Sequence, residues 1–206
     1  MIALNNYIKE AFKLTADTKI NKIPEYHYHP KTRGELKELV EKLIEERGLD
    51  ADLNDIDTSE ITDMSYMFAS FKFNGNISQW DVSSVTIMRR MFQECEFNGD
   101  ISNWDVSNVT NMSSMFFDSN FDGDLSQWDV SNVQIMTEMF MYSKFSGKNG
   151  DIGNWDVSNV KNISHMFRES QFNGDISQWN VSNVQNMFET FDNSPLEKNT
   201  PKWYKE

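Results

Sequence analysis

Tryptophan recurs at Trp80, Trp104, Trp128, Trp155, Trp179 and Trp203, at intervals of 24, 24, 27, 24 and 24 residues, and each of the first four opens the string Trp-Asp-Val-Ser. A self-similarity of this period is the mark of a stacked repeat protein, in which one unit cannot bury its apolar face alone and each neighbour buries the next. Such a chain works by presenting one long surface, so the residues that recur on that surface bear on its function.

Setting each Trp as position zero aligns six units, with Ile56 in the Trp place of the first. Position −3 is Leu53, Ile77, Ile101, Leu125, Ile152 and Ile176, and position +2 is Thr58, Val82, Val106, Val130, Val157 and Val181. The resulting apolar-x-x-Trp-x-Val has the spacing of a leucine-rich-repeat strand, which predicts a strand over −3 to +2. Beyond a Ser-Asn corner, apolar residues stand at +5, +8, +11 and +12 (Val109, Met112, Met115 and Phe116 in one unit), a spacing that predicts a short helix. Phe73, Phe97, Phe121, Phe145 and Phe172 at +17 add a further core position, and Asn-Gly pairs such as Asn98-Gly99 predict the turn into the next strand. The expected fold class is α/β: a leucine-rich-repeat-like solenoid of about six 24-residue strand-plus-short-helix units with an N-terminal α/β cap.

The expected organisation is a helical arm with a capping strand and helix over residues 1–50, the repeat array over 51–196 and a C-terminal cap over 197–206. Tyr26-His27-Tyr28-His29 reads as the capping strand. Thr32 and Glu35 form a Thr-x-x-Glu capping box that opens a helix with Leu36, Leu39, Val40, Leu43 and Ile44 on one face and Gly48 at its end. Leu4, Ile8, Ala11 and Phe12 suggest a further amphipathic helix over 4–15, packed on the cap or free as a partner-binding arm. The three extra residues before Trp155 fall near Gly147, Lys148 and Asn149, in a turn, where insertion costs little.

Charge narrows the partners. Residues 1–50 carry nine Lys and Arg against nine Asp and Glu, whereas residues 51–206 carry ten against 23, so the repeats hold the whole net charge of −13. An acidic face repels phosphate backbones and anionic lipid, which leaves a protein with a basic surface, or cations, as the fitting partner. The opening residues Met1 to Tyr7 lack the basic and apolar regions of a secretory signal, so the expectation is a cytoplasmic protein, in a host cytoplasm if phage-borne. A single cysteine, Cys95, excludes a disulfide framework and a cysteine-based zinc site.

The units, above all Gly99-Asp100-Ile101-Ser102-Asn103-Trp104-Asp105-Val106-Ser107-Asn108-Val109-Thr110-Asn111-Met112-Ser113-Ser114-Met115-Phe116, resemble the BspA-like leucine-rich repeats of many bacterial and some protist and phage-borne proteins, over about residues 50–196. The resemblance implies a solenoid used for binding, often on a cell surface, and carries no catalytic residues.

The candidate partner surface is the pair of positions flanking the Trp. Gln79, Asn103, Gln127, Asn154 and Gln178 stand at −1, and Asp81, Asp105, Asp129, Asp156 and Asn180 at +1. On strands about 4.8 Å apart these form an amide ladder beside a carboxylate ladder, whose neighbours repel by roughly 0.8 kcal/mol even in water. Two offsets are open at this stage: hydrogen bonds that brace the Asp-Val-Ser-Asn corner, or a basic partner.

Other features have plainer readings. A second acidic column at −4 (Asp52, Asp100, Asp124, Asp151, Asp175) fits turn chemistry, and Asp122-Gly123-Asp124 lacks the remaining ligands of a calcium loop. The tryptophans and methionines read as core, Cys95 at +15 as a buried thiol, and His27 and His29 as exposed imidazoles with no third metal ligand. No phosphate loop, nucleophile elbow or Ser/His/Asp constellation occurs. The reading is a non-enzymatic protein-binding scaffold without cofactor or metal. An acidic nucleic-acid mimic that blocks a nuclease and a surface adhesin stand as alternatives.

Overall fold

The computed structural model describes residues 26–205. The 4–15 helix lies outside them. Each repeat forms one coil laid on the next in parallel register, marked by single bridges between the +7 residues: Asp63 to Ile87, Ile87 to Asn111, Asn111 to Ile135, Ile135 to Asn162 and Asn162 to Asn186. The step of 27 residues at Ile135 to Asn162 shows that the three extra residues bulge without breaking the register. Ser146 donates to Asp122 Oδ1 through both its N–H and its hydroxyl, and Asn149 Nδ2 donates to the Asp122 carbonyl, which pins that bulge to the preceding coil.

Coils pair mainly through +7 to +14. There the N–H groups of +8, +10, +12 and +14 donate to the carbonyls of +7, +9, +11 and +13 in the next coil; in one pair these are Met88 to Asn111, Arg90 to Ser113, Phe92 to Met115 and Glu94 to Phe117, at 2.8 to 3.0 Å. Intervening N–H groups close four-residue turns within the coil, as Met91 does on Met88 O and Gln93 on Arg90 O. The result is a ribbon of overlapping turns. It requires left-handed backbone at +10 and +14: Tyr66, Ser70, Arg90, Glu94, Ser114, Asp118, Glu138, Tyr142, His165, Glu169, Glu189 and Asn193 all have φ between 47° and 61°. Such backbone costs roughly 1 to 2 kcal/mol per non-glycine residue, an expense that the coil-to-coil bonds offset.

This corrects the unit expected from the sequence. Among the described residues the helices are α1, Arg33–Arg47, and a 3-10 turn, Glu197–Asn199; none lies in a repeat. Spacings of three and four at +5, +8, +11 and +12 match a helix, but they match the turn ribbon equally, because each turn returns the chain to the same face. Pitch decides between them. Successive +12 phenylalanine rings stack at 5.5 to 5.9 Å, with planes 2° to 6° apart, and coils so close leave no room for helices about 10 to 12 Å wide.

The expected strand is also absent. Around each Trp the chain makes two turns, Trp80 N–H to Ile77 O at 3.1 Å and Val85 N–H to Val82 O at 2.9 Å. Coils are tied there by the indole instead: Trp80, Trp104, Trp128, Trp155, Trp179 and Trp203 donate Nε1–H to the −3 carbonyl of the preceding coil at 2.9 to 3.2 Å. Asn-Gly is likewise not a left-handed turn, since only Gly48 and Gly147 among the glycines have positive φ. Glycine serves close approach, because a Cβ on Gly99 would stand 2.7 Å from the Phe97 ring that folds back beneath it.

The core runs the length of the stack. Both phenylalanine columns are buried, and within a coil they stack on each other at 4.3 to 4.7 Å. At the N-terminal end Tyr28 bridges to Ile56, taking position zero of an abbreviated coil, and α1 buries Leu36, Val40, Leu43 and Ile44. Thr32 Oγ1 accepts from Glu35 N–H as expected, while Glu35 reaches back to Lys31 N–H, one residue earlier than a capping box requires. Arg33 Nη1 donates to Ser65 O at 3.2 Å, and Lys37 Nζ donates to Tyr66 O and Met67 O. These include the carbonyls at +9 and +11 that a preceding coil would otherwise cover.

Trp128→Ala removes a side chain only 3% exposed along with its bond to Ile101 O, and should cost about 3 to 5 kcal/mol in chemical unfolding. Trp128→Phe should recover most of this, leaving about 1 to 3 kcal/mol for the orphaned carbonyl. A chain beginning at Asp50 loses the cations on Ser65, Tyr66 and Met67 and uncovers Leu53, Ile56 and Ile61; it should self-associate in light scattering, where the full chain does not.

Candidate functional site

The side chains flanking the Trp column belong to turns, and all ten candidate residues are exposed: Gln79, Asp81, Asn103, Asp105, Gln127, Asp129, Asn154, Asp156, Gln178 and Asn180. Coil stacking brings them into two adjacent columns, and the nearness of Asp156 raises the cost of ionising Asp129.

Each +1 carboxylate has an internal task. Asp81 Oδ1 accepts from Ser83 N–H at 3.0 Å and from its hydroxyl at 2.6 Å, and Asp105 does the same with Ser107. Asp129 and Asp156 accept from Ser131 and Ser158 N–H at 3.0 Å. The hydroxyl and amide of these serines hold the Asp129 and Asp156 carboxyls below the ordinary carboxylate range. Thus the structural offset to repulsion is present in the corner itself. Only Oδ1 is engaged; Oδ2 of Asp81, Asp105, Asp129 and Asp156 has no hydrogen-bond partner among the described residues. Asn180 fills the same place with Ser182 N–H at 3.2 Å.

The device occurs three times in a coil, or twice where +7 is Ile87 or Ile135. At −4, Asp100, Asp124, Asp151 and Asp175 accept from the N–H two residues on; at +7, Asp63, Asn111 and Asn162 accept from Ser65, Ser113 and Ser164. Each is an Asx turn. Asp122 and Asp124 therefore serve separate partners, Ser146 and Ser126, and no group of three His, Cys, Asp or Glu among the described residues could hold a metal ion.

The N-terminal end of the same two columns shows what answers their charge. Asp55 at −1 takes a bidentate pair from Arg47, at 3.0 and 2.9 Å, and also meets His27 Nδ1 at 3.2 Å. Arg47 and then His27 lower the Asp55 carboxyl. Asp57 at +1 meets Ser59 and His29 Nδ1, the latter at 3.1 Å. His27 and His29 are thus the first rungs of the ladders and share no ligand. Cys95 is buried, its thiol pushed up to about 11 by desolvation.

Two further features escaped the sequence reading. Asn108, Asn132, Asn159 and Asn183 at +4 donate Nδ2–H to the +3 carbonyl of the preceding coil at 2.6 to 2.8 Å, a strap whose only signal was the recurrence of Asn. Arg89 and Arg90 flank the Tyr66 ring at 5.8 and 5.6 Å, a cationic spot in the acidic array.

Replacing Asp129 by Ala should destabilise the chain by about 1 kcal/mol near neutral pH, whereas Asp129→Asn, which keeps an accepting oxygen, should be close to neutral. Because the folded carboxyls at Asp129 and Asp156 stay charged to lower pH than unfolded ones at 3.8, their contribution is complete above that value and is lost as pH falls through the lower folded value. Thermal melts should therefore show a larger Asp129→Ala deficit at about pH 6 than at about pH 2, where the protonated carboxyl keeps an accepting oxygen and loses only its charge.

No curated protein and no solved structure matches the chain. The family described as Mycoplasma protein of unknown function, DUF285, matches it over residues 36–148 and again over 118–205, two overlapping segments that take in most of α1 and the coils that follow it. This agrees in outline with a BspA-like repeat family, and the chain belongs to the DUF285 family.

Proposed function

We propose that the chain is a non-enzymatic, leucine-rich-repeat-like solenoid scaffold whose exposed Trp-flanking columns bind a protein with a basic surface. One observation carries this reading. At the N-terminal end the chain meets its own column carboxylates with Arg47, His27 and His29, while Oδ2 of Asp81, Asp105, Asp129 and Asp156 has no hydrogen-bond partner among the described residues and lies at an exposed, serine-braced corner. Lysine or arginine side chains spaced along a partner would repeat outside the chain the pairing that α1 makes within it. The exposed amides of Gln79, Asn103, Gln127, Asn154 and Gln178 run alongside and suit hydrogen bonds to that partner's backbone.

Replacing Asp81, Asp105, Asp129 and Asp156 together by Asn tests this with little disturbance to the fold, because Asn180 already performs the bracing role. For a partner captured from the native cell and then purified, affinity should fall at least about tenfold and its salt dependence should flatten. Unchanged affinity with an unchanged melt would show that the carboxylates only brace the turns.

A further inference from the structure

Five arginines stand in the chain, and three of them are engaged inside it: Arg33 donates to Ser65 O, Arg47 pairs with Asp55, and Arg168 meets Glu189 and Asp192. Arg89 and Arg90 have no hydrogen bond or ion pair among the described residues, although 23 Asp and Glu lie between residues 51 and 206. Their guanidinium carbons stand 5.8 and 5.6 Å from the centre of the Tyr66 ring, and Arg90 Nε is shut off from solvent without a partner. A guanidinium stripped of part of its water and given no acceptor gains more than an exposed one from an anion. Beside these two arginines lies a cleft of about 320 Å³ on the ribbon. It follows from residue size. Ser113 and Ser114 hold +9 and +10 in one coil, between Arg89 and Arg90 in the coil before and Thr137 and Glu138 in the coil after, so short side chains lie between longer ones. Ile135, 37% exposed, lines the far side. At its position Asp63, Asn111, Asn162 and Asn186 each brace the N–H two residues on, whereas Ile135 gives up that bond and sets an apolar group in the open.

We propose that this cleft is a binding site for a carboxylate with a short apolar body, its oxygens taken by Arg89 and Arg90 and its apolar part laid on Ile135. Guanidinium N–H groups match a carboxylate edge to edge, and an aromatic ring against the guanidinium helps to hold the fork in place. Charge selects the ligand further. Two guanidiniums against the Glu138 carboxylate leave the cleft with one net positive charge, which suits a monoanion, while a phosphate dianion would bring its second charge towards Glu138. Ser114 Oγ donates to Glu138 Oε2 at 2.9 Å, which ties that carboxylate to the middle coil and leaves both arginines open. A free small acid and the side chain of Asp or Glu on a polypeptide both offer the required group. The cleft lies on the ribbon, opposite the Trp-flanking columns, and uses none of their residues.

Isobutyrate is the probe for a free acid, and N-acetyl-glutamate α-amide the probe for a side chain. Titrated into the full chain at constant ionic strength and neutral pH, at least one should move the Arg89 and Arg90 side-chain N–H signals in nuclear magnetic resonance along a saturating curve, with those of Arg47 and Arg168 unmoved. The tighter of the two identifies the source of the carboxylate. Isobutyramide, the neutral isostere, should bind at least about tenfold more weakly, the worth of one charge-assisted hydrogen bond. Arg89→Gln together with Arg90→Gln should abolish saturation while the melting temperature stays near that of the parent. Glu138→Gln, which keeps an acceptor for Ser114, should raise the affinity for inorganic phosphate more than that for isobutyrate. A non-saturating response to both acids, equal binding of the amide, arginine replacements that leave the curve unchanged, or a Glu138→Gln chain that gains nothing for phosphate would each overturn the proposal. Should a variant fail to fold, isobutyrate against isobutyramide on the parent chain still decides it.

Discussion

The left-handed backbone at +10 and +14 is the constraint on which the rest of the structure depends. With every second residue between +8 and +14 turned so that its N–H points along the stack, the chain can form internal turns and coil-to-coil bonds at once. A regular helix would spend those N–H groups internally and leave its neighbours to pair by side chains alone. A regular strand would use them all between coils and give up the internal turns. The ribbon divides them, and at each of these positions the tertiary bonds hold a conformation that Tyr, Arg, Glu and His adopt infrequently on their own.

From that division follows the pitch, and from the pitch the composition of the core. Coils tied by hydrogen bonds of 2.8 to 3.0 Å bring equivalent side chains into near-parallel contact, which flat aromatic rings tolerate better than branched ones. Opposite the ribbon, where no backbone ladder exists, indole Nε1–H and the +4 asparagine amides perform the same task of tying coil to coil. Tryptophan is thus both a core side chain and a substitute for a backbone donor, which explains why the period is legible in that residue first.

The two ends differ because the pairing is polar. One end presents carbonyls, which α1 meets with Arg33 and Lys37; at the other the Met187 and Glu189 N–H groups have no hydrogen-bond partner among the described residues, and Trp203 and Tyr204 pack on Phe191. The acidic Trp-flanking columns show a similar asymmetry, met by Arg47 and histidine nitrogens beside α1 and, among the described residues, by serines alone on Oδ1 of Asp81, Asp105, Asp129 and Asp156.

By itself, the sequence determined the 24-residue register, the columns that form the core, the tolerance of the insertion near Gly147 and the exposure of the residues flanking each Trp. These follow from periodicity, and periodicity survives whatever local conformation carries it. α1 was legible for a different reason, since Thr32 and Gly48 are local signals that act within one turn of chain. What only the tertiary structure decided was the conformation inside the unit: the short helix gave way to turns because a neighbour 24 residues away competes for each N–H, and the strand gave way because the indole supplied the tie. The serine brace on each +1 aspartate was open in the sequence as one of two offsets, because it is made two residues along the same coil; the pairing of Asp55 with Arg47 and of Asp57 with His29 was out of reach, because it depends on where α1 and the residues before it come to lie.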